Sequence, residues 1–241
     1  MTSSNGGSKM TSDSKLDYPK ASESLVRGGL YTYAAGLFLL IAFISPYWIS
    51  SYDDAFSEFK NMGMWQYCFD GFRYPYYQFD KRFTGCYGIY SSEYYVIREW
   101  LLPGWLLFIQ MCVTLAFIFS FSAQIILGGI VTRYPLQLVL MYEYLLTMVS
   151  FALTAASAVL LMFAVLLFPL NCWRRDWLLY PLYNHLSFSY YLALISFFVH
   201  AWAAWVLYKE SKRAWEHRKE SRNLVMQMYP QHDRHHGFNG Y

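Results

Sequence analysis

Four uncharged apolar runs, approximately Gly28–Trp48, Trp105–Ile130, Leu145–Phe168 and Leu186–Tyr208, constrain this chain more than any other feature. A hydrocarbon layer about 30 Å thick needs about 20 residues of helix at about 1.5 Å each, and every run reaches that length. Soluble domains carry about 25% charged residues. Here 15% are charged and 56% hydrophobic, which excludes an ordinary soluble domain. The predicted fold class is membrane α-helical, a four-helix transmembrane bundle.

The runs divide the chain into a tail (1–27), spans at 28–48, 105–130, 145–168 and 186–208, outside loops at 49–104 and 169–185, an inner loop at 131–144 and a basic tail at 209–241. The first 27 residues are rich in Ser, Gly and Lys without an apolar run, so a tail is expected there and no cleavable signal. An even number of spans puts both ends on one side. Twelve Lys and Arg lie in the two tails and the inner loop, among them Lys20, Arg27, Arg133, Lys209, Arg213 and Arg218, against seven in the outside loops. By the positive-inside bias both termini are predicted to be cytosolic. The net charge of +3 is then a topology signal and calls for no nucleic acid.

The long outside loop carries short runs of alternating polar and aromatic residues, at 47–52, 63–69, 74–79 and 83–90, separated by Gly, Pro, Asp or Lys. Such runs predict strands of a small antiparallel sheet. Ser91–Leu102 has a capping Ser, an early acid and a later Arg, and it ends at Pro103 and Gly104, so it predicts a short helix leading into the second span. A unit this small holds little core, and extracellular units of that size are commonly stapled. Cys68 and Cys86 share the outside loop. A disulfide closing a loop of that size contributes roughly 3 kcal/mol in the chain-entropy model. Trp65 is expected to pack at the base of the sheet near the bilayer interface. Cys112 reads as a packing residue within the second span. Cys172 reads as a free thiol in the short outside loop, with pairing to another molecule as the alternative.

Pro46 and Trp48 at the end of the first span, then Gly63, Met64 and Trp65, then Cys68, Cys86 and Arg98, resemble the W, GLW, C, C pattern of the claudin superfamily. The resemblance covers about residues 25–210. It implies cytosolic termini and a five-stranded sheet drawn mostly from the first outside loop, with one strand from the second. Met64 stands where the family has Leu, a swap that preserves volume. The spacing between the cysteines is longer than in typical vertebrate claudins, and the insertion at 70–80 is rich in Tyr and Phe. The chain's last residues, FNGY, lack the small aliphatic end that most claudins offer to PDZ domains. These departures make it similar to the divergent claudin-like proteins of invertebrate septate junctions.

Within the spans the strongly polar side chains are Gln110, Gln124 and His200, with Glu143 at an inner boundary. An ionisable residue inside a membrane is a functional candidate. A lone His among Trp, Ala and Phe reads more readily as a hydrogen-bonding contact between helices. No Ser/His/Asp set, carboxylate pair or HExxH motif occurs, so the reading is a protein that is not an enzyme and needs no cofactor. The histidines of the 231–240 segment lie in a polar tail, and no metal site is expected. The basic stretch 209–222 is read either as a helix lying along the inner leaflet with Trp215 dipping in, or as a solvated helix extension.

The resemblance implies a structural junction protein. Its outside loops would bind copies of itself or related claudin-like proteins in cis and trans, with other junction proteins and membrane lipid as further partners, and so restrict paracellular diffusion. Tyr74, Tyr76, Tyr77 and Phe79 are the candidate adhesive residues, since aromatics are enriched in binding surfaces. The charges between the cysteines are of mixed sign, which favours a barrier over a selective channel. The rival readings are an auxiliary subunit of an ion channel or receptor, and a four-span trafficking or myelin-type protein.

Overall fold

The computed structural model describes residues 21–74, 81–178 and 180–228. Tyr76, Tyr77 and Phe79 lie outside the described residues, as does the histidine-rich tail segment. Four long apolar helices form the bundle: α1 (Glu23–Ile44), α3 (Gly104–Thr132), α4 (Leu136–Asn171) and α5 (Phe188–Met228). Strands β1 (Ile49–Ser51), β2 (Phe59–Met62), β3 (Gln66–Arg73) and β4 (Arg82–Gly88) and the short helix α2 (Arg98–Leu101) come from the loop between α1 and α3, the first of the two loops expected outside. Strand β5 (Asn184–Leu186) comes from the second. The chain is a multi-pass membrane protein carrying a small antiparallel sheet of order β4-β3-β2-β1-β5.

Local chemistry sets the helix ends. The Ser22 hydroxyl accepts the Leu25 N–H at 3.2 Å and caps α1. That helix stops at Ile44 and not at Trp48, the expected end of the span, because Ser45 precedes Pro46 and a residue before proline is driven out of the helical region. The chain thus leaves the bundle extended and enters β1 at once. Helix α3 ends on Arg133, whose left-handed backbone (φ 57°) turns its N–H back to the carbonyls of Gly129 and Ile130. Helix α4 resumes at Leu136, so the inner loop expected over 131–144 shrinks to residues 133–135, and the helix bends at Tyr142, where φ and ψ leave the helical region. The expected short outside loop likewise gives up its first residues to α4, which runs through Pro169 to Asn171.

One expectation is corrected and one alternative is resolved. Ser91–Leu102 is not a helix: only Arg98–Leu101 is helical, and the preceding residues form turns. The cause is side-chain bonding, since Tyr94 Oη donates to the Tyr67 carbonyl at 3.0 Å and Arg98 reaches back to the carbonyls of Ile89, Tyr90 and Ser91. Of the two readings of the basic stretch, the helix extension is the one found, since α5 continues unbroken through it to Met228. A helix of 41 residues is about 60 Å long, about twice the hydrocarbon thickness, so its end projects out of the membrane. Ser22 and Ser24 bind the Glu210 carboxylate, and Arg218 donates to the Met141 carbonyl at 3.2 Å. Those contacts hold the projection against α1 and α4. Trp215 stays exposed, with the Lys219 ammonium 5.3 Å from its ring centre.

One apolar core runs from the sheet into the sheet-side half of the bundle and includes Trp48, Phe59, Met64, Tyr67, Phe72, Leu101, Cys112 and Phe168. A smaller cluster of Leu25, Leu127, Ile130, Val139 and Leu207 closes the other end.

Candidate functional site

The five-stranded sheet is the candidate functional element, and its attachment to the bundle is built from the motif residues. Trp48 is fully buried where α1 gives way to β1. Its indole N–H donates to the Ala42 carbonyl at 2.7 Å, closing the frayed end of α1, and its ring meets Phe168 of α4 edge-on at 5.0 Å. Its backbone N–H donates to Met62 of β2, and its carbonyl accepts the N–H of Ser187 ahead of α5. One residue therefore ties three helices to the sheet.

Gly63 lies against that junction. A β-carbon there would sit 2.4 Å from the Ser45 carbonyl oxygen and 2.5 Å from the Pro46 α-carbon, both backbone atoms that no rotamer change moves away. Asn61 holds the same turn by donating to the Pro46 carbonyl at 2.8 Å. Met64 is fully buried, and its carbonyl accepts the Gln110 amide of α3 at 2.5 Å. The polar residue that the second span carries thus satisfies a buried backbone group of the sheet. Trp65 is partly buried against Phe43 of α1, at 5.2 Å between ring centres, and its carbonyl accepts the Ile89 N–H.

Cys68 and Cys86 face each other across β3 and β4 and are bonded, with α-carbons 4.0 Å apart. Behind them Tyr67 is buried and donates to the Leu101 carbonyl at 2.8 Å, and burial pushes its phenol well above the ordinary range. Arg98 fastens the exit of β4 to α2 through its three carbonyl contacts at 3.1–3.2 Å and stands over the rings of Tyr90 and Tyr95. Cys112 and Cys172 are free thiols. Cys172 is buried at the end of α4 and not open to a partner molecule, and burial pushes its thiol up to about 12.

The candidate adhesive residues fare differently. Tyr74 is partly buried, its ring 5.5 Å from Trp100, and so does not stand free on the surface. Other aromatic and aliphatic side chains do stand free. Phe56 is 92% exposed and held in the left-handed region (φ 46°) beyond β1. In the second outside loop Leu182 is 84% and Tyr180 64% exposed, and Tyr180 has the same backbone sign (φ 46°). The Tyr52 N–H donates to the Tyr183 carbonyl at 3.0 Å, so these two tips are neighbours. β1 leads away from α1 and β5 leads back to α5, which puts both tips at the end of the sheet remote from the bundle. No sequence period marks them; a bulky apolar residue set among turn-formers is the one signal that was present.

Among the described residues of the loop between α1 and α3, Lys60 lies 3.8 Å from Asp70 and Lys81 lies 3.0 Å from Glu93. Within the bundle His200 is buried, bonded through one ring nitrogen to Ser120 at 2.8 Å and through the other to Ser196. It joins α3 to α5 as a contact between helices. Among the described residues no group of three or more His, Cys, Asp or Glu side chains gathers to hold a metal.

No curated protein matches the chain. The family model described as PMP-22/EMP/MP20/Claudin tight junction matches residues 33–208, a span that takes in α3, α4, parts of α1 and α5, the stapled sheet and every motif residue described above. The chain belongs to the PMP-22/EMP/MP20/claudin family.

Proposed function

We propose that this protein is a structural component of cell junctions of the septate or tight type, whose outside loops assemble with copies of itself or related claudin-like proteins along one membrane and across the intercellular gap. Both termini are then cytosolic, and the sheet lies in the gap. The result is a paracellular barrier that works by occlusion and needs no chemical step. The observation that carries this reading is the pairing of a rigid mount with free tips. The disulfide, Trp48 and Gly63 fix the sheet on the bundle, while Phe56, Tyr180 and Leu182 project from its far end. Exposed apolar side chains held on a stiff support lose little freedom on association, and binding energy concentrates in a few such anchors. The charge pairs Lys60–Asp70 and Lys81–Glu93 support a barrier over a strongly selective pore, since neither sign dominates.

The test is contact enrichment in cells that lack junctions. Where two expressing cells touch, the wild-type chain gathers at the contact. The double variant Phe56→Ser, Leu182→Ser reaches the surface in equal amount but gathers at least several-fold less. Equal enrichment of the two chains would remove the tips from the adhesive role. No enrichment of either chain would speak for an auxiliary subunit.

A further inference from the structure

Helices α1 and α3 leave an open groove of about 320 Å3 on the flank of the bundle. Its floor is Gly36, where a β-carbon would displace the Gln124 amide. Exposed Leu37 and Leu40 form one rim. The other is Phe117 and Phe121, whose rings stack at 13° with centres 6.4 Å apart and make a flat face. Tyr33 and Gln124 close the end away from the sheet, with Ser120 behind them, and no charged residue lines the groove. An apolar lining with a few fixed polar groups is the make-up of a small-ligand site.

A chain of hydrogen bonds orients the amide. His200 Nδ1 lies 2.9 Å from the Ser196 carbonyl, which can only accept, so Nδ1 carries the ring proton. No carboxylate among the described residues meets this buried ring, which is therefore neutral and leaves Nε2 as an acceptor. The Ser120 hydroxyl, 2.8 Å away, gives its one proton to Nε2. Ser120 can then only accept from Gln124, at 3.2 Å, which turns the amide nitrogen towards Ser120 and leaves Oε1 free of that contact. Oε1 accepts no hydrogen bond from the described residues. The groove thus carries an open acceptor whose orientation is set from the core.

Two aromatic belts fix its depth. Trp105, packed on Trp177, stands at the sheet-side end of α3. Gln124 follows nineteen residues later, about 28 Å along the helix, against a hydrocarbon thickness of about 30 Å. At that level a second belt stands exposed, Tyr31 and Tyr33 on α1 and Trp202, Trp205 and Tyr208 on α5. The levels match because Tyr33 Oη donates to the Gln124 carbonyl at 2.7 Å and His200 bonds Ser120 one turn before Gln124. Lys209 holds its ammonium 3.6 Å from the centre of the Trp205 ring, as lysines do at a membrane interface. The open acceptor therefore sits at the polar edge of the leaflet away from the sheet. From there the groove runs two turns of α3, about 10 Å, into the hydrocarbon as far as Phe117.

We propose that the groove holds a sterol of the leaflet away from the sheet, its hydroxyl donating to Gln124 Oε1 and its fused rings lying over Gly36 against Phe117 and Phe121. One hydroxyl at the polar edge matches one uncharged acceptor there, whereas a phospholipid brings a phosphate and the lining offers it no cation. A rigid plate also loses less freedom against a flat wall than an acyl chain does. The proposal does not depend on the junctional reading, since it requires only the membrane and the groove.

The experiment uses the full chain in phosphatidylcholine nanodiscs that contain cholesterol carrying a diazirine on its B ring. Illumination and peptide mass spectrometry locate the adducts, counted relative to those on the lipid-facing residues Ile195 and Phe198. Residues 33–40 and 117–124 should be enriched, and Gln124→Leu should lower that enrichment by about fivefold, the weight of one neutral hydrogen bond. The same probe without its 3-hydroxyl should label the wild-type groove as weakly, an arm that needs no variant to fold. The proposal is overturned if labelling is even over the lipid-facing residues, or if neither Gln124→Leu nor loss of the hydroxyl lowers it. Equal enrichment from a phosphatidylcholine with a diazirine in one chain would overturn it too, because the groove would then take any lipid. So would efficient disulfide pairing of Leu37→Cys chains in the sterol-containing membrane, because a second copy would then fill the groove.

Discussion

Gly63→Ala is the smallest change that should uncouple the sheet from the bundle. The added carbon would lie 2.4 Å from the Ser45 oxygen and 2.5 Å from the Pro46 α-carbon, and ordinary contact needs about 3.5 Å, so one backbone segment must retreat by about 1 Å. Two hydrogen bonds cross that gap, Trp48 N–H to Met62 at 2.7 Å and Asn61 amide to Pro46 at 2.8 Å. Losing both costs about 2 kcal/mol net, and overpacking costs a further 1–3 kcal/mol or so. A loss of about 3–5 kcal/mol is a large share of the roughly 5–15 kcal/mol that holds a domain folded. Thermal unfolding of purified protein, followed by size-exclusion elution, should shift clearly downward, and surface biotinylation should fall. Gly29→Ala is the matched control, since no atom lies within 4 Å of its added carbon. If Gly63→Ala melted and reached the surface like Gly29→Ala, the close approach of 63 to 45–46 would not be what holds the sheet.

Non-reduced peptide mapping should recover a Cys68–Cys86 link in protein taken from the cell surface, and replacing both cysteines with Ser should cost roughly 3 kcal/mol of stability. Trp48→Ala should lower stability by about 3–5 kcal/mol and exceed the loss from Trp65→Ala, since Trp48 is wholly buried and Trp65 only partly; surface delivery ranks the two. Because burial holds the Cys172 thiol neutral up to about 12, its alkylation rate in folded protein should stay flat from pH 7 to about 9, where an exposed thiol with a pKa of about 8.5 accelerates.

The residues legible in advance are those whose role rests on one-dimensional physics. Span count follows from run length against bilayer thickness, and the staple follows from two cysteines on one oxidising side. What escaped depends on contacts distant in sequence. Strand β2, with the sequence FKNM, is too short and too polar to announce itself, and it forms because Met62 and Asn61 pair with Ile49 and Ser50. The expected helix at 91–102 fails because Tyr94 and Arg98 prefer carbonyls of β3 and of the β4 exit to helix geometry. Tyr74 looked like surface in a polar-aromatic run, but Trp100, far along the chain, covers it. The basic stretch after the fourth span was readable as helix, but the choice between its two directions was not, because it comes from unbroken continuation of α5 and from Glu210 meeting Ser22 and Ser24.

The most direct test of the central claim is tracer passage across a polarised epithelial layer whose own barrier protein has been removed and replaced by this chain. The account predicts a continuous belt of the protein at lateral contacts and a fall in paracellular dye flux, lost again in the Phe56→Ser, Leu182→Ser variant at equal surface level. Unchanged dye flux with wild-type protein present at the surface, together with its recovery in fixed ratio with one pore-forming subunit, would contradict the account.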